Sequence, residues 1–504
     1  MILSKAVLKN IQSPGVIVPE EKIFDLPEKV LQFGTGVLLR GLPDYFIDKA
    51  NRQGFFNGRI VVVKSTSTGS SSEFDDQDSL YTLCVKGIEN GQKIEENIIC
   101  SAISRVLSAG ENWNEILKCA HNPEMKIVIS NTTEVGISLV NESIEANPPA
   151  SFPAKLLAFL VERYNAFNGS EAGGMVIIPT ELIVGNGEKL KSIVLELAKF
   201  NQLNEALISW IDQHNLFCNS LVDRIVPGKP DAETVAAFQK KAGYEDKLLT
   251  VSEVYRLWAI EGDEKVKSVL SFAEADKGVI IAPDIEIYRE LKLRMLNGTH
   301  TLSCGLAFLA NFSTVKEAMD NAIFSGFASK LMREEIASAI PYEVNQSQTD
   351  DFADQVLDRF RNPHIKHQWI AITVQFSAKL KMRVVPLLIS HYLKTDLVPV
   401  HMALGFAAYI AFMQVKTEEG GKYFGEWNGQ VYPVNDDQAR YFYDHKNSIS
   451  ADIWIHTVLS NTELWGRDLT LLPGFEAAVQ QNYNAIIADG ALKAINDSTT
   501  DNKE

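Results

Sequence analysis

The apolar run at residues 30–33 (VLQF) ends in Gly34-Thr35-Gly36 and passes directly into a helix-like stretch over residues 37–51. A strand that turns through glycines into a helix leaves backbone amides open to a phosphate at the helix N-terminus, and it commits the chain to a crossover connection. The first half repeats that rhythm. Further apolar runs cover residues 59–64, 126–130 and 175–179, with amphipathic segments between them. Short β-branched runs alternating with amphipathic segments predict a largely parallel sheet covered by helices. Residues 65–78, rich in Ser, Thr, Gly and Asp, read as a loop. Residues 80–86 and 93–100 flank Asn90-Gly91, a turn dipeptide that predicts an antiparallel hairpin inserted in the domain.

After about Asp284 the apolar residues recur at helical spacing and convincing strands disappear. The expected fold class is therefore an α/β Rossmann-type dinucleotide-binding domain, residues 1–275, followed by a mostly α-helical substrate domain, residues 276–504. The apolar stretch 398–413 contains Pro399 and His401 and is too short to span a bilayer, so it reads as a buried helix. The polar tail from Asn496 is expected to fray.

A net charge of -16 argues against a nucleic-acid partner, which needs a basic surface, and against an anionic membrane surface. It leaves an anionic small molecule open, since a few local cations set the potential inside a cleft. The five cysteines, Cys84, Cys100, Cys119, Cys218 and Cys304, form no CxxC pair. Neither a disulfide framework nor a cysteine zinc site is suggested, and a reducing, cytoplasmic compartment fits best. The first residues, MILSKAVLKNIQ, lack the apolar run of a signal peptide. Oligomeric state is left open.

The third glycine of the dinucleotide fingerprint is missing, with Leu39 in its place, so a plain strand-to-helix turn competes with a cofactor site. Arg40, one turn into the helix, suits either a phosphate or an ion pair. The run 59–64 leads into Lys64-Ser65-Thr66, without the acidic residue that usually meets the adenosine ribose, so NAD and NADP both stay open on chemistry.

The segment KLRMLNGTHTLSCG carries Lys292, Asn297 and His300. On an ideal α-helix the three fall within an arc of about 140°. One face then offers an amine, an amide and an imidazole. Reduction of a ketone needs a proton donor beside the carbonyl oxygen, and a partly buried lysine suits that task. Solvated or capping roles are the ordinary alternative for such residues. His364 and His367 stand three apart, but no third ligand accompanies them, so no metal site is expected.

The pattern KxxxxNxxH on a helix past a dinucleotide domain resembles the polyol-specific long-chain dehydrogenases, the mannitol dehydrogenase family. Gly34, Gly36 and Arg40 match that family's GxGxxxR start, residues 221–225 (LVDRI) its VDRI motif, and residues 359–363 (RFRNP) its RFxNP motif. The segments QDSLYT, AHNPEMKIVISNTTEVGIS, VIIPTELIVGNG, FCNSLVDRIVPG, RFRNPHIKHQ and WGRDLTLLPG resemble its uronate-reducing branch, so the likeness runs nearly the full length. Polyol-oxidising members carry an Asp-Asn pair where this chain has Thr180-Glu181, which also points to the uronate branch.

The resemblance implies Lys292 as general acid/base, with Asn297 and His300 around the reacting carbon. It implies NAD held by Phe33, Gly34, Thr35, Gly36, Val37, Arg40, Lys64, Thr132 and Glu134. It implies a sugar-acid substrate met by Glu181, Asp223, Arg359 and His367 in an interdomain cleft. Glu181 as a helix cap and Asp223 in an ion pair with Arg224 are the structural alternatives. Arg359 or Lys366 would supply the charge for a substrate carboxylate, unless Arg359 pairs with Asp354 or Asp358. The expected reaction is metal-independent, NAD-dependent reduction of D-tagaturonate to D-altronate. Fructuronate is the alternative substrate, and a binding protein without catalysis the alternative class.

Overall fold

The computed structural model describes residues 1–65, 72–132, 135–445 and 451–500, in two compact units. The first unit holds residues 1–87 and 93–285; the second holds 88–92 and 286–504.

The first unit is built on a six-stranded parallel sheet. Its strands are β1 (Glu28–Phe33), β2 (Arg59–Lys64), β5 (Ile103–Ser108), β6 (Ile127–Ser130), β7 (Val176–Pro179) and β8 (Leu216–Phe217). Between β2 and β5 the chain makes β3 (Tyr81–Glu89) and β4 (Gln92–Cys100), hydrogen-bonded neighbours in a second sheet. The order across the parallel sheet is β5-β2-β1-β6-β7-β8. Strand order therefore reverses between β1 and β6, the switch point outside whose carboxyl ends α/β sheets bind ligands.

Successive side chains point to opposite faces of a strand, and here they sort into two cores. Val30, Ile60, Val62, Ile127, Ile129, Val176 and Ile178 enter one; Leu31, Phe33, Val61, Val63, Val128 and Ile177 enter the other. Burial on both faces explains why these strands read as unbroken apolar runs.

The stretch expected as one helix over residues 37–51 is two: α1 (Val37–Gly41) and α2 (Pro43–Gln53). Leu42 breaks them with φ −132° and ψ −77°. The ring of Pro43 crowds the preceding residue out of helical geometry, while a proline is tolerated as the first residue of a new helix. The first unit continues through β9 (Ser220–Asp223), β10 (Thr250–Glu253), β11 (Leu257–Glu261) and β12 (Val279–Ala282). β12 pairs with β11 and keeps residues up to Ile285 in the first unit.

The second unit is mainly helical. Its centre is α3 (Asn297–Leu309) crossed by a helix over Val400–Phe412 that is buried from His401 onward, the buried helix expected from the sequence. The two approach closely: a Cβ on Gly305 would lie 3.1 Å from the Ala408 carbonyl oxygen, and one on Gly405 would lie 2.9 Å from that of Leu302. A side chain at either position would push the two helices apart. Contrary to expectation, the unit also contains strands: Val415–Glu419, Lys422–Trp427 and Gln430–Pro433 form an antiparallel sheet. Only Val415, Gly425 and Tyr432 among them are buried, so they give no buried-strand signal. The tail does not fray at Asn496 either. A helix spans Ala491–Thr500, docked by the buried Ala491, Ala494 and Ile495.

Candidate active site

At the end of β1 the Gly34 amide donates to the Val63 carbonyl at 3.0 Å, and its φ of +127° is open only to glycine. A Cβ there would lie 2.9 Å from the Asn131 carbonyl oxygen and 2.8 Å from Leu39 Cδ1. Leu39, at the position of the missing third glycine, is fully buried and packs over the first one. Gly36 is exposed, a Cβ on it would meet nothing within 4 Å, and α1 starts at Val37 directly behind it. This loop has the open backbone that a pyrophosphate requires.

Phe33 is buried under it, its ring 5.1 Å from that of Phe152, while Thr35 and Val37 are half-buried. Lys64 ends β2 in register with Ser108. The next side chain, Ser65, has a buried hydroxyl with no hydrogen-bond partner among the described residues. A hydroxyl left over where β2 ends fits a ribose contact, so the residues present suit a dinucleotide.

Arg40 is otherwise employed. Its Nη1 donates to the Leu248 carbonyl at 2.7 Å, and its guanidinium lies 5.5 Å from the Tyr81 ring centre. It packs the first unit together.

Glu181, at the end of β7, is buried, and both carboxylate oxygens are engaged. Oε1 accepts from the Thr132 amide at 2.9 Å and its hydroxyl at 3.0 Å, and Oε2 accepts from Ser130 at 3.1 Å. The carboxylate thus ties the loop after β6 to the end of β7. It does not cap a helix; Asn186 instead donates its side-chain amide to the Glu181 carbonyl. Glu134 and Thr66 lie outside the described residues. Asp223 is buried at the end of β9. Arg224 donates to the carbonyls of Gly41 and Glu253 and stacks on Tyr45 at 4.5 Å.

In the second unit the lysine segment departs from ideal helix geometry. Lys292–Leu296 forms a π-helical turn leading into α3, and the Asn297 amide is shared between the Leu293 and Lys292 carbonyls. A turn widened toward i to i+5 closure brings residues five apart closer to one face, so Asn297 lies nearer the face of Lys292 than in a regular α-helix. Lys292 and Asn297 are both half-buried. His300 follows at the next turn.

Its imidazole is enclosed by Phe360, His367 and Trp369, with ring centres at 4.1, 5.2 and 5.8 Å. Its Nδ1 is buried without a partner among the described residues. Burial first, and then the nearby His367, Arg359, Arg383 and Lys379, hold His300 well below the usual histidine range. The ring is therefore neutral. Burial and the charges of Arg359 and Lys379 also lower His367.

The structure thus brings together Lys292, Asn297, His300, His367 and Arg359 in the second unit. It adds Lys379 and Arg383, which the sequence reading passed over. Their signal was present: FSAKLKMR places basic residues four apart with no acid between them. The carboxylates weighed as partners for Arg359 have other neighbours. Asp354 pairs with Arg333 at 2.6 Å, and Asp358 accepts from the Gly91 amide at 3.0 Å and lies 3.8 Å from Arg361. His364 and Lys366 are exposed. Among the described residues no group of three or more His, Cys, Asp or Glu is placed to hold a metal, all five cysteines are free and buried, and no helix is long and apolar enough to cross a membrane.

One test of the glycine loop follows. Gly34→Ala forces a residue with a Cβ into positive φ against the Asn131 carbonyl, a strain of about 1–3 kcal/mol. A lowered Tm and NADH binding weakened about tenfold or more are expected. Unchanged NADH titration and melting would show that the loop does not depend on that glycine.

Residues 28–272 match the mannitol dehydrogenase Rossmann domain, and residues 284–487 match the mannitol dehydrogenase C-terminal domain. Altronate oxidoreductases of Escherichia coli O7:K1 and Shigella flexneri are each 37% identical over 478 residues, covering 93% of this chain and 96% of theirs. Among solved structures, the Pseudomonas fluorescens mannitol 2-dehydrogenase ternary complex with NAD and D-mannitol aligns with TM-score 0.64 at 22% identity, over 98% of this chain and 99% of that one. A substrate-free D-sorbitol dehydrogenase aligns with TM-score 0.74 at 20% identity, over 98% of this chain and 100% of that one. These two likenesses concern the fold.

Proposed function

The chain belongs to the mannitol dehydrogenase family, and from that membership we propose that it is an NAD-dependent reductase converting D-tagaturonate to D-altronate. The observation that carries this reading is the π turn that brings Asn297 toward the face of Lys292, beside a neutral His300 on which the charges of Arg359, Arg383 and Lys379 act. The amine suits proton transfer and the surrounding cations suit a substrate that bears a carboxylate. Relatives named altronate oxidoreductase, similar along nearly the whole chain, support the choice of acid.

NADH, when bound, supplies the hydride that adds to the keto carbon. Gly34, Gly36 and Val37 would present their backbone to its phosphates, with Ser65 toward a ribose. Thr132, held by Glu181, would line the same strand ends. Lys292 donates its proton to the carbonyl oxygen as that oxygen gains charge, and the same amine accepts it back when the alcohol is oxidised. Asn297 fixes the carbonyl. The neutral His300 ring hydrogen-bonds a neighbouring hydroxyl without adding a charge beside the lysine. We place the enzyme in the cytoplasm, where five unpaired cysteines persist.

The direct test is decay of NADH absorbance with a panel of keto-uronates. Tagaturonate is expected to give the highest kcat/KM, and preference for fructuronate would move the assignment to that stereoisomer. NAD(H) is expected to be favoured over NADP(H), from membership of the family and against the ambiguous Lys64. Comparable kcat/KM with both cofactors would reverse that expectation and direct attention to Lys64, whose replacement by aspartate should then restore discrimination.

A further inference from the structure

The helix Phe376–Arg383 carries Lys379 and Arg383 four residues apart, hence on one face. Like charges at that spacing weaken a helix, so their presence calls for a reason. Neither forms an ion pair with a described residue. Lys379 Nζ donates to the Ile372 carbonyl at 2.9 Å, and Arg383 Nη1 donates to Thr301 Oγ1 at 3.1 Å. The nearby acidic groups compensate them only in part, since the Asp436 charge bears on Lys379 alone. Burial pushes the Cys304 thiol up to about 12, so it stays protonated. Asp436 accepts the backbone amides of Ser377 and Gln438.

Arg383 Nε is buried with no partner among the described residues. Its guanidinium is anchored to Thr301, the residue after His300, whose own Nδ1 is also buried and unpartnered. Two half-buried cations and two unfilled hydrogen-bonding positions therefore converge beside the imidazole. An unsatisfied buried polar atom is costly, and an anion with oxygens in one plane satisfies a guanidinium edge.

We propose that Arg383, flanked by Lys379, receives the terminal carboxylate of the substrate and so selects sugar acids over neutral sugars. The inference rests on the keto-uronate reading of this site. Arg359 and Lys366, put forward from the sequence, have a different place in it. Lys366 is exposed, and the charge of Arg359 bears on both His300 and His367, which suits holding those rings neutral. A guanidinium matches a carboxylate in two parallel hydrogen bonds, whereas Lys379 adds a point charge.

The experiment compares wild type with Arg383→Met and Arg383→Lys on tagaturonate and on the neutral ketose tagatose, the latter at high enzyme concentration. For Arg383→Met, kcat/KM on the acid should fall about 10²- to 10³-fold, mostly through KM, as expected when one partner of a buried charge pair is lost. Tagatose turnover and NADH affinity should change by no more than a few-fold. Arg383→Lys should recover part of the loss on the acid, which a failure to fold would not allow. Equal losses on acid and neutral ketose, or an unchanged KM for the acid, would overturn the inference and leave Arg383 as a brace to Thr301. Inactivity of the wild-type enzyme on every keto-uronate would instead overturn the proposed function, and this inference with it.

Discussion

Replacing Lys292 with alanine lowers kcat for keto-uronate reduction by about 10²- to 10⁴-fold, the usual cost of removing a general acid, and leaves NADH binding within a few-fold of wild type. The split follows from where the groups sit. The glycine loop that would hold the cofactor phosphates belongs to the first compact unit, and Lys292 belongs to the second. Stability should hardly change, because the side chain is half-buried and no core residue is removed. Stopped-flow NADH titration, melting and steady-state kinetics on the same preparation separate the three effects. A near-normal kcat would remove Lys292 from the mechanism. Lys292→Met makes a useful companion, since it keeps most of the side-chain volume and loses only the amine. The backbone bond from the Asn297 amide to the Lys292 carbonyl is present in either variant, so the π turn does not depend on the residue being tested.

How much of this was legible in the sequence depended on which force set each element. β2 was readable to the residue, because a parallel strand buried on both faces writes its boundaries as an apolar run. The Asn90-Gly91 turn was readable because both residues need positive φ, and they have it at 53° and 71°. The same rule was available for the missed sheet of the second unit. Gly420-Gly421 and Asn428-Gly429 all have positive φ, and each pair joins two of its strands. There the exposed, charged strands concealed what the turns declared. The break at Leu42 followed from Pro43 and was likewise legible.

The π turn was different. A single inserted residue leaves no compositional mark, so spacing arithmetic placed Lys292 and Asn297 on one face without showing the widened turn that draws them closer. Arg383 and Lys379 showed in the sequence only as basic residues four apart. Their importance comes from packing a distant helix against His300, and a single sequence records no such contact. Glu181 shows the converse. Its position was singled out correctly as unusual, yet only the fold reveals that both its oxygens are spent on Ser130 and Thr132.

The wild-type enzyme should reduce tagaturonate with a kcat/KM on the order of 10³-fold or more above that for tagatose, which has the same carbon chain without the acid group. The physical reason lies in what the site contains before substrate arrives. Burial first, and then His367 and the charges of Arg359, Arg383 and Lys379, hold the His300 ring neutral. A carboxylate entering beside Lys379 and Arg383 offsets their mutual repulsion and fills the open Arg383 edge with charge-assisted hydrogen bonds. A neutral ketose does neither and leaves the Arg383 edge unfilled, and discrimination of that kind is far larger than a hydrophobic pocket achieves against one missing group. Salt provides an independent check: these side chains are half-buried, so their attraction for the acid should survive moderate ionic strength better than a surface encounter would. If tagatose proves nearly as good a substrate as tagaturonate, the cationic cluster has no bearing on substrate choice and the assignment to a sugar acid fails.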